Sequence, residues 1–467
     1  MPVWFRACAG KAQVTLVHEL TDFVMNGILA VGNRAQCERD NADNGRMTAS
    51  PSSAAVPSTG ARRRRDEILG AAAELFATTG YTKTSMRDVA AASGILAGSL
   101  YHHFESKEAI AVELVENYHA DLVEAERKFS RPDADAVTAL RLFTREIAAV
   151  SFRHPAAVQI RMFDAPSTAS PSLKTVIHAD PASLGRRWRA LIGAAVADEA
   201  IGPEVDPRLL RHVLYRVTMQ AGSTATAWRS TAREVADCLT TIIFDGLAST
   251  PPRLDNESAA IAVVNETARQ WAADARERLT GRRGAVLAAA RDQFALHGFE
   301  STTMRDIADA AGLTASNLYR YFKSKDSMII EILGNFSDRL LAAYKEVLGT
   351  GGTVIETLDA LMWLLEQASR QYAPEIDILQ GYGRLTALGV TEHYEQGAQA
   401  RLDLLSQLIT VGVAAGEIND VADSERIAAA VRELLWSPMR DLAGVAPARA
   451  RDFYRRIVLS GAAARRQ

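Results

Sequence analysis

The chain has 467 residues, 48% of them hydrophobic and 23% charged, with a formal net charge of −3 at pH 7. That length accommodates about two to four domains, and the apolar content suffices for more than one core. The charge balance does not by itself suggest nucleic acid, because what binds DNA is a local patch rather than net charge.

Abundant Ala and a 7% aromatic content lean toward helices over a β-sandwich. Cys8, Cys37 and Cys238 lie far apart without a CxxC pair, so neither a zinc site nor a disulfide framework is indicated. No stretch approaches the ~20 uninterrupted apolar residues of a membrane span. The moderately apolar run Val14–Val31 is interrupted by His18, Glu19 and Asp22. A cytoplasmic protein in a reducing environment, away from membranes, is the expectation.

Residues 1–60 differ from the rest. The run Asn41–Gly60 is rich in Ser, Ala, Pro and Asn, and Met47 opens a stretch just ahead of the first patterned unit. This segment reads as a disordered or mis-called N-terminal extension.

Residues 61–122 make the first patterned unit. Ile68, Leu69, Ala72, Leu75 and Phe76 recur at helical spacing over about Arg63–Thr78, and Gly80 stops that helix. Ser85-Met-Arg-Asp88 fits a capping box and opens a second helix. Gly94 then makes a short turn, and a third helix is expected over about Ala97–Phe104. Two short helices around a Gly-containing turn form a helix-turn-helix. Its second helix enters the major groove with its early residues toward the base edges. Leu100 and Phe104 should face the small core, leaving Gly98, Ser99, Tyr101 and His102 outward. A fourth helix starts at Ser106-Lys107, where Ser caps it, and the free amides with Lys107 suit a DNA phosphate.

Residues 123–250 are a longer helical region. Leu210, Val213, Leu214 and Val217 form an apolar stripe after Asp206-Pro207, an N-cap and N1 pair. Val235, Leu239, Ile242 and Ile243 form another. Pro251 and Pro252 mark the break between halves, and 251–275 is expected as a linker, although Glu257–Arg278 has helical composition without breakers.

The unit recurs at residues 276–336. Thr302–Lys325 repeats Thr84–Lys107 at an offset of 218 residues, with thirteen of 24 positions identical. Val286, Leu287, Ala290 and Phe294 repeat the first helix, Gly298 its stop, Thr303-Met-Arg-Asp306 the capping box, Gly312 the turn and Ser324-Lys325 the fourth-helix start. Two copies separated by about 190 residues of other sequence are a duplicated domain pair rather than a solenoid. Here Ser316, Asn317, Tyr319 and Arg320 face outward; Asn can read adenine, and Arg can read guanine or bind a phosphate. Residues 337–467 are again helical. Ile427, Val431, Leu434 and Leu435 follow Asp423, and the last helix carries Phe453, Ile457 and Val458. These late helices, with those of the first half, are candidates for a four-helix packing surface between halves.

Both units resemble the TetR/AcrR family of bacterial regulators. The likeness rests on Arg87-Asp88-Val89-Ala90, Gly94, Leu100-Tyr101 with Phe104, and Ser106-Lys107-Glu108, together with their second-copy equivalents. It covers roughly sixty residues in each head. The stretch Gly94–Phe104 looks most like the branch controlling steroid and lipid breakdown in actinobacteria. The resemblance implies an all-α protein of two units, each a helix-turn-helix head followed by a helical ligand-binding and dimerisation domain. It implies phosphate contacts at Thr84 or Ser85, Tyr101 and Lys107, and at Thr302 or Thr303, Tyr319 and Lys325, with Arg87 and Arg305 beside them. Family members carry one head per chain and work as homodimers, so this chain is expected to fold as an intrachain pseudo-dimer. Its two third helices differ, so an operator with unlike half-sites is expected.

The resemblance also implies a small-molecule effector. Met162, Phe163, Trp188, Met219 and Trp228 in the first half could line its pocket, as could Trp363, Tyr372, Tyr382 and Trp436 in the second; core packing would use the same residues equally well. Arg161, Arg186 and Arg187 could meet an anionic group such as an acyl-CoA, or make a solvated face. Residues 61–122 hold seven Lys/Arg against nine Asp/Glu, and residues 276–336 nine against seven. The second head should therefore supply more phosphate attraction, with Arg62–Arg65 compensating in the first. No Gly-rich phosphate loop, G-x-S-x-G elbow or metal-spaced His/Cys set is present, so no enzyme, cofactor or metal is expected. The reading is a repressor released by a small hydrophobic or acyl-CoA-type ligand. Its alternatives are a constitutive or architectural DNA binder, or a drug-responsive repressor. An apolar cavity with a polar mouth would discriminate.

Overall fold

The computed structural model describes residues 59–129, 134–161, 170–179, 183–220, 231–252, 254, 256–379, 389–436 and 444–464. The chain divides into two units, Met1–Arg62 and Arg63–Gln467. Of the first, the backbone of residues 59–62 is described, as the start of a helix. The remainder of the expected N-terminal extension lies outside the described residues. The described chain is all-α, its extended pairing limited to two isolated bridges. Among the described residues no helix is long and apolar enough to cross a membrane.

The first head comprises α1 (Thr59–Thr78), α2 (Met86–Ala92) and α3 (Ala97–Leu100), followed by the long α4 (Lys107–Lys128). The second repeats this as α12 (Arg282–His297), α13 (Met304–Ala310), α14 (Ala315–Leu318) and α15 (Lys325–Leu348). The capping boxes form as the spacing requires: Ser85 accepts from the Asp88 amide and Thr303 from the Asp306 amide, and each carboxylate returns to its cap amide. Gly94 and Gly312 both sit at φ +65°, the left-handed turn that an L side chain resists. The third helices are one turn long, shorter than expected. Residues 101–103 continue as turns, yet Phe104 still reaches the head core, 2% exposed.

In the first body, α5 (Ala136–Arg153) is the central helix. It packs on α4, α8 (Leu184–Ala197), α9 (Pro207–Gln220) and α10 (Ala232–Asp245), and buries Leu140, Phe143, Ile147 and Val150. The short α6 (Pro155–Gln159) and α7 (Pro171–His178) pack on α4.

In the second body, the stretch expected as a linker instead carries much of α11 (Ala259–Thr280). Its Ile261, Val264 and Trp271 are buried, and it packs on α15 and α16 (Val354–Gln371). Residues 251–275 thus contribute core and not merely connection. The body continues through α17 (Ala373–Leu379), α18 (Glu392–Ala414), α19 (Ser424–Trp436) and α20 (Pro447–Tyr454), which widens into a π-type segment over Arg455–Ser460. Asp359 of α16, 2% exposed, accepts from Arg451 at 2.8 Å and from Arg455 at 2.5 and 2.6 Å. That compensated charge cluster ties the last helix to its own body.

The apolar stripes of the late helices meet. α10 packs on α19 and on the terminal π-type segment, and α9 reaches α19. Eight backbone hydrogen bonds then lace the halves together, and they fall into four pairs related by exchanging the halves. Ser249 N donates to Glu417 O at 3.0 Å, as Ala464 N does to Ala200 O at 2.8 Å. Asn419 N donates to Leu247 O at 2.8 Å, as Gly202 N does to Ala462 O at 3.0 Å. Leu247 and Ala248 donate to Val458 and Leu459, as Ala462 and Ala463 do to Ile243 and Phe244. The two isolated bridges obey the same exchange, Ile201 with Ala463 and Ala248 with Ile418. At the crossing lie Gly246 and Gly461, at φ +76° and +81°; an added Cβ would meet the opposing backbone at 2.5 and 2.3 Å.

Candidate nucleic-acid interface

Each head is built so that one short helix is held rigidly with its outer face bare. In the first, Ile68, Ala72 and Phe76 of α1 bury against Val89, Leu100 and Phe104; in the second, Val286, Ala290 and Phe294 do so against Ile307, Leu318 and Phe322. Around this core runs a latch that the sequence reading missed. Arg65 bonds the Glu113 carboxylate and the His103 carbonyl, and its guanidinium lies 3.9 Å over the Phe104 ring. Arg283 bonds Glu331 at 2.5 and 2.6 Å and lies 4.5 Å over the Phe322 ring. All three members recur at the repeat offset of 218, so extending the repeat comparison outward would have found them.

The residues expected to read bases share one exposed face. Gly98, Ser99, Tyr101 and His102 are exposed beside α3, and Ser316, Asn317, Tyr319 and Arg320 beside α14. Tyr101 and Tyr319 are 55% and 54% exposed, which is unusual for a side chain with so much apolar surface. The heads differ at the start of this face. Thr314 caps α14, its hydroxyl accepting from the Asn317 amide at 3.3 Å. The same register in the first head holds Leu96, which gives no side-chain cap and is 80% exposed.

The phosphate-contact candidates divide differently. Thr84 and Thr302, at 2% and 1% exposure, are turned inward, and their hydroxyls donate to the carbonyls of Gly80 and Gly298 at 2.8 Å. Burial removes them from the outer face. Ser85 and Thr303 are exposed, but each hydroxyl donates to the carboxylate of its own capping box, at 2.6 and 2.7 Å. Those bonds, with the cap amides, hold the Asp88 and Asp306 carboxyls below the usual carboxylate range. Arg87 and Arg305 are exposed.

Lys107 and Lys325 do not extend from the fourth-helix start. The Lys107 ammonium donates to the Tyr81 carbonyl at 2.7 Å and lies 4.4 Å from that ring's centroid; Lys325 donates to Phe299 at 2.8 Å and lies 4.5 Å from its ring. Both lysines staple the loop between the first two helices. Within the run Arg62–Arg65, Arg64 reaches Glu67 and the Ser93 carbonyl, and Arg65 belongs to the latch. Much of the charge expected to compensate the first head is therefore neutralised within it.

The ligand candidates are scattered. Met162, Phe163, Trp228 and Tyr382 lie outside the described residues, as does the Met219 side chain. Trp188 is fully buried in core, its indole donating to Thr144 Oγ1 at 3.1 Å. Trp363 donates to Asn265, and Trp436 packs near Phe336. Arg161 bonds the carbonyls of Ile177 and Ala179, Arg186 bonds Ser183, and Arg187 bonds the Phe129 carbonyl. Tyr372 does line a space. A cavity of about 290 Å³ lies between α12 of the second head and α11, α15 and α17 of its body. Leu287, Ile332 and Phe336 give it apolar walls, and Arg291, Arg339 and Glu375 give it polar groups. Arg291 approaches Glu375 at 3.7 Å, and Arg339 bonds Asp274 at 2.7 Å.

The family model for bacterial regulatory proteins of the tetR family matches this chain twice, at residues 68–114 and 286–332. The HTH-type transcriptional repressor KstR2 of Rhodococcus jostii is 31% identical over 197 residues, covering 94% of that protein but 41% of this chain. The KstR2 repressor of Mycolicibacterium smegmatis is 31% identical over 160 residues, covering 78% of that protein and 34% of this chain. The solved structure of the ketosteroid transcriptional regulator KstR2 of Mycobacterium tuberculosis is 26% identical, with a TM-score of 0.35, covering 90% of that chain and 38% of this one.

Proposed function

The chain belongs to the tetR family of bacterial regulatory proteins, and on that premise we propose that one polypeptide acts as a complete, asymmetric repressor dimer. The observation that carries this reading is the reciprocal lacing of the halves, in which Leu247–Ser249 and Ala462–Ala464 are counterparts, each bonding the backbone of the opposite half. A joint of that form supports a pseudo-two-fold arrangement with two heads on one body. The heads present unlike outer faces, Leu96-Ala-Gly-Ser-Leu-Tyr-His-His103 and Thr314-Ala-Ser-Asn-Leu-Tyr-Arg-Tyr321. Unlike faces support an operator with unlike half-sites. Among the site residues, Ser99, His102, Ser316 and Asn317 read bases, Gly98 leaves room for a base pair, Arg320 reads a guanine or meets a phosphate, and Tyr101, Tyr319, Arg87 and Arg305 meet phosphates. Residues 61–122 and 276–336 serve as the heads, with residues 123–250 and 337–467 as the bodies.

Release by a small ligand is supported by the cavity under the second head. At about 290 Å³ it stands near the lower end of ligand-sized pockets, roughly 300–1,000 Å³. It has apolar walls and a few polar groups, and an occupant would press on α12, so binding and head position are coupled. This favours a ligand-released repressor over a constitutive DNA binder. The likeness of Gly94–Phe104 to the steroid and lipid branch supports hydrophobic acids and their acyl-CoA esters as effectors.

The test starts from duplexes selected out of a random pool by the full chain. Mass photometry is expected to count one chain per bound duplex, and footprints to show two unlike half-sites. A panel of hydrophobic acids and acyl-CoA thioesters is then screened for release. Two chains on a perfect inverted repeat would refute the asymmetric reading. Binding indifferent to every ligand in both halves would favour the constitutive one.

A further inference from the structure

We propose that Leu96 sets the sequence preference of the first head by packing against the 5-methyl group of a thymine. The inference rests on the unlike-half-site reading above and adds a residue and a chemical group to it. Leu96 is the most exposed large apolar side chain among the described residues, at 80%. It stands one residue ahead of α3, on the flank that leads the recognition helix into the groove. Its neighbours settle its direction. Ile95 and Ala97 pack against the core, while the Leu96 carbonyl is held by the amides of Ser99 and Leu100, at 2.9 and 3.2 Å. With its backbone fixed at φ −70° and ψ 144°, the side chain is left pointing away from the head.

The second head shows what this register does when it serves only to start the helix. Thr314 spends its hydroxyl on the Asn317 amide. Leu96 gives up that cap and places a branched hydrocarbon on the face that DNA covers. In the major groove the one apolar group on a base edge is the thymine methyl. Leu96 has no polar atom with which to read any other edge. Gly98, two residues further on, carries no side chain, and a Cβ there would meet nothing within 4 Å, so the approach to a base pair is open.

The experiment replaces thymines of the selected duplex one at a time by deoxyuridine, which removes the methyl and keeps the base pair. Affinity is measured for the wild-type chain, Leu96→Thr and Leu96→Ala. Leu96→Thr copies the second head's own cap, so the helix start is preserved. For the wild type, one position in one half-site is expected to weaken about fourfold on loss of the methyl, the scale of one buried methyl-sized group. Both variants should lose that sensitivity at that position and keep the wild-type response in the other half-site. The proposal is overturned if no thymine shows an effect that depends on Leu96. It is also overturned if Leu96→Thr weakens selected and random duplexes alike, since that marks a structural role. If the chain selects no sequence at all, the DNA-reading premise fails with it, whereas selected but methyl-indifferent duplexes sink this inference alone.

Discussion

His119 shows at the scale of one residue how a buried group marks a stability limit. It sits on α4 at 7% exposure, and its Nε2 has no hydrogen-bond partner among the described residues. Burial, helped by the Arg161 charge, pushes its pKa down to about 4. In the unfolded chain the same imidazole takes its proton near pH 6.5. Between those values the unfolded state binds the proton and the folded state does not, so folding weakens as pH falls. The His119 contribution is intact above about pH 6.5 and is lost progressively toward pH 4. Replacing His119 by Leu removes the titration while keeping an apolar shape. The urea midpoint of the wild type should therefore fall more steeply between pH 7 and pH 5 than that of His119→Leu, by up to roughly tenfold in the folding constant per pH unit. Parallel pH profiles for the two would show that this histidine does not bind its proton differently on unfolding.

At the scale of elements, the heads were legible in the sequence and the joint was not, for a physical reason. A capping box, a left-handed glycine turn and a helical stripe are local, so Ser85-x-x-Asp88, Gly94 and Ile68–Phe76 announce themselves within a few residues. The inward turn of Thr84 and the stapling by Lys107 depend on loop carbonyls that the chain folding brings near, which neither the family resemblance nor the helix-start register could show. The late helices were readable by their stripes, but the interlock is made by backbone atoms, which side-chain patterning does not report: residues 247–249 bond Val458, Leu459, Glu417 and Asn419, and residues 462–464 bond Ile243, Phe244, Ala200 and Gly202. Its repeat offset has drifted from 218 in the heads to 215 at these tails, which hides the correspondence. Gly246→Ala and Gly461→Ala test the joint. Each places a Cβ within 2.5 Å of opposing backbone at a positive φ, and should cost about 2–4 kcal/mol from left-handed strain and overpacking together. Gly193→Ala, in α8 with nothing within 4 Å of the added carbon, should be neutral or stabilising by up to about 1 kcal/mol. Equal responses of all three in chemical denaturation would mean that the crossing contributes little.

For the whole molecule, the proposed pseudo-dimer would free the two heads to diverge, because neither would have to match a copy of itself. A homodimer must present one recognition surface twice and is restricted to symmetric operators. Between residues 96 and 104 the two surfaces differ at five positions, Leu96/Thr314, Gly98/Ser316, Ser99/Asn317, His102/Arg320 and His103/Tyr321. The exchange-related lacing is common to both halves, and on the proposed reading the choice of half-sites rests on these outer positions. Making the third-helix faces alike takes five side chains. A chain carrying Leu96→Thr, Gly98→Ser, Ser99→Asn, His102→Arg and His103→Tyr has two like recognition faces on an unchanged body. The Arg65 latch survives, since it uses the backbone carbonyl of residue 103. Selection from a random pool should then return inverted repeats in place of unlike half-sites, still with one chain per duplex. The added Arg should also steepen the salt dependence of binding by about 0.9 in the log–log slope if it meets a phosphate. Persistent unlike half-sites in the five-fold variant would place the asymmetry outside these helices, and two chains per duplex would mean that the joint does not hold one chain as a pseudo-dimer.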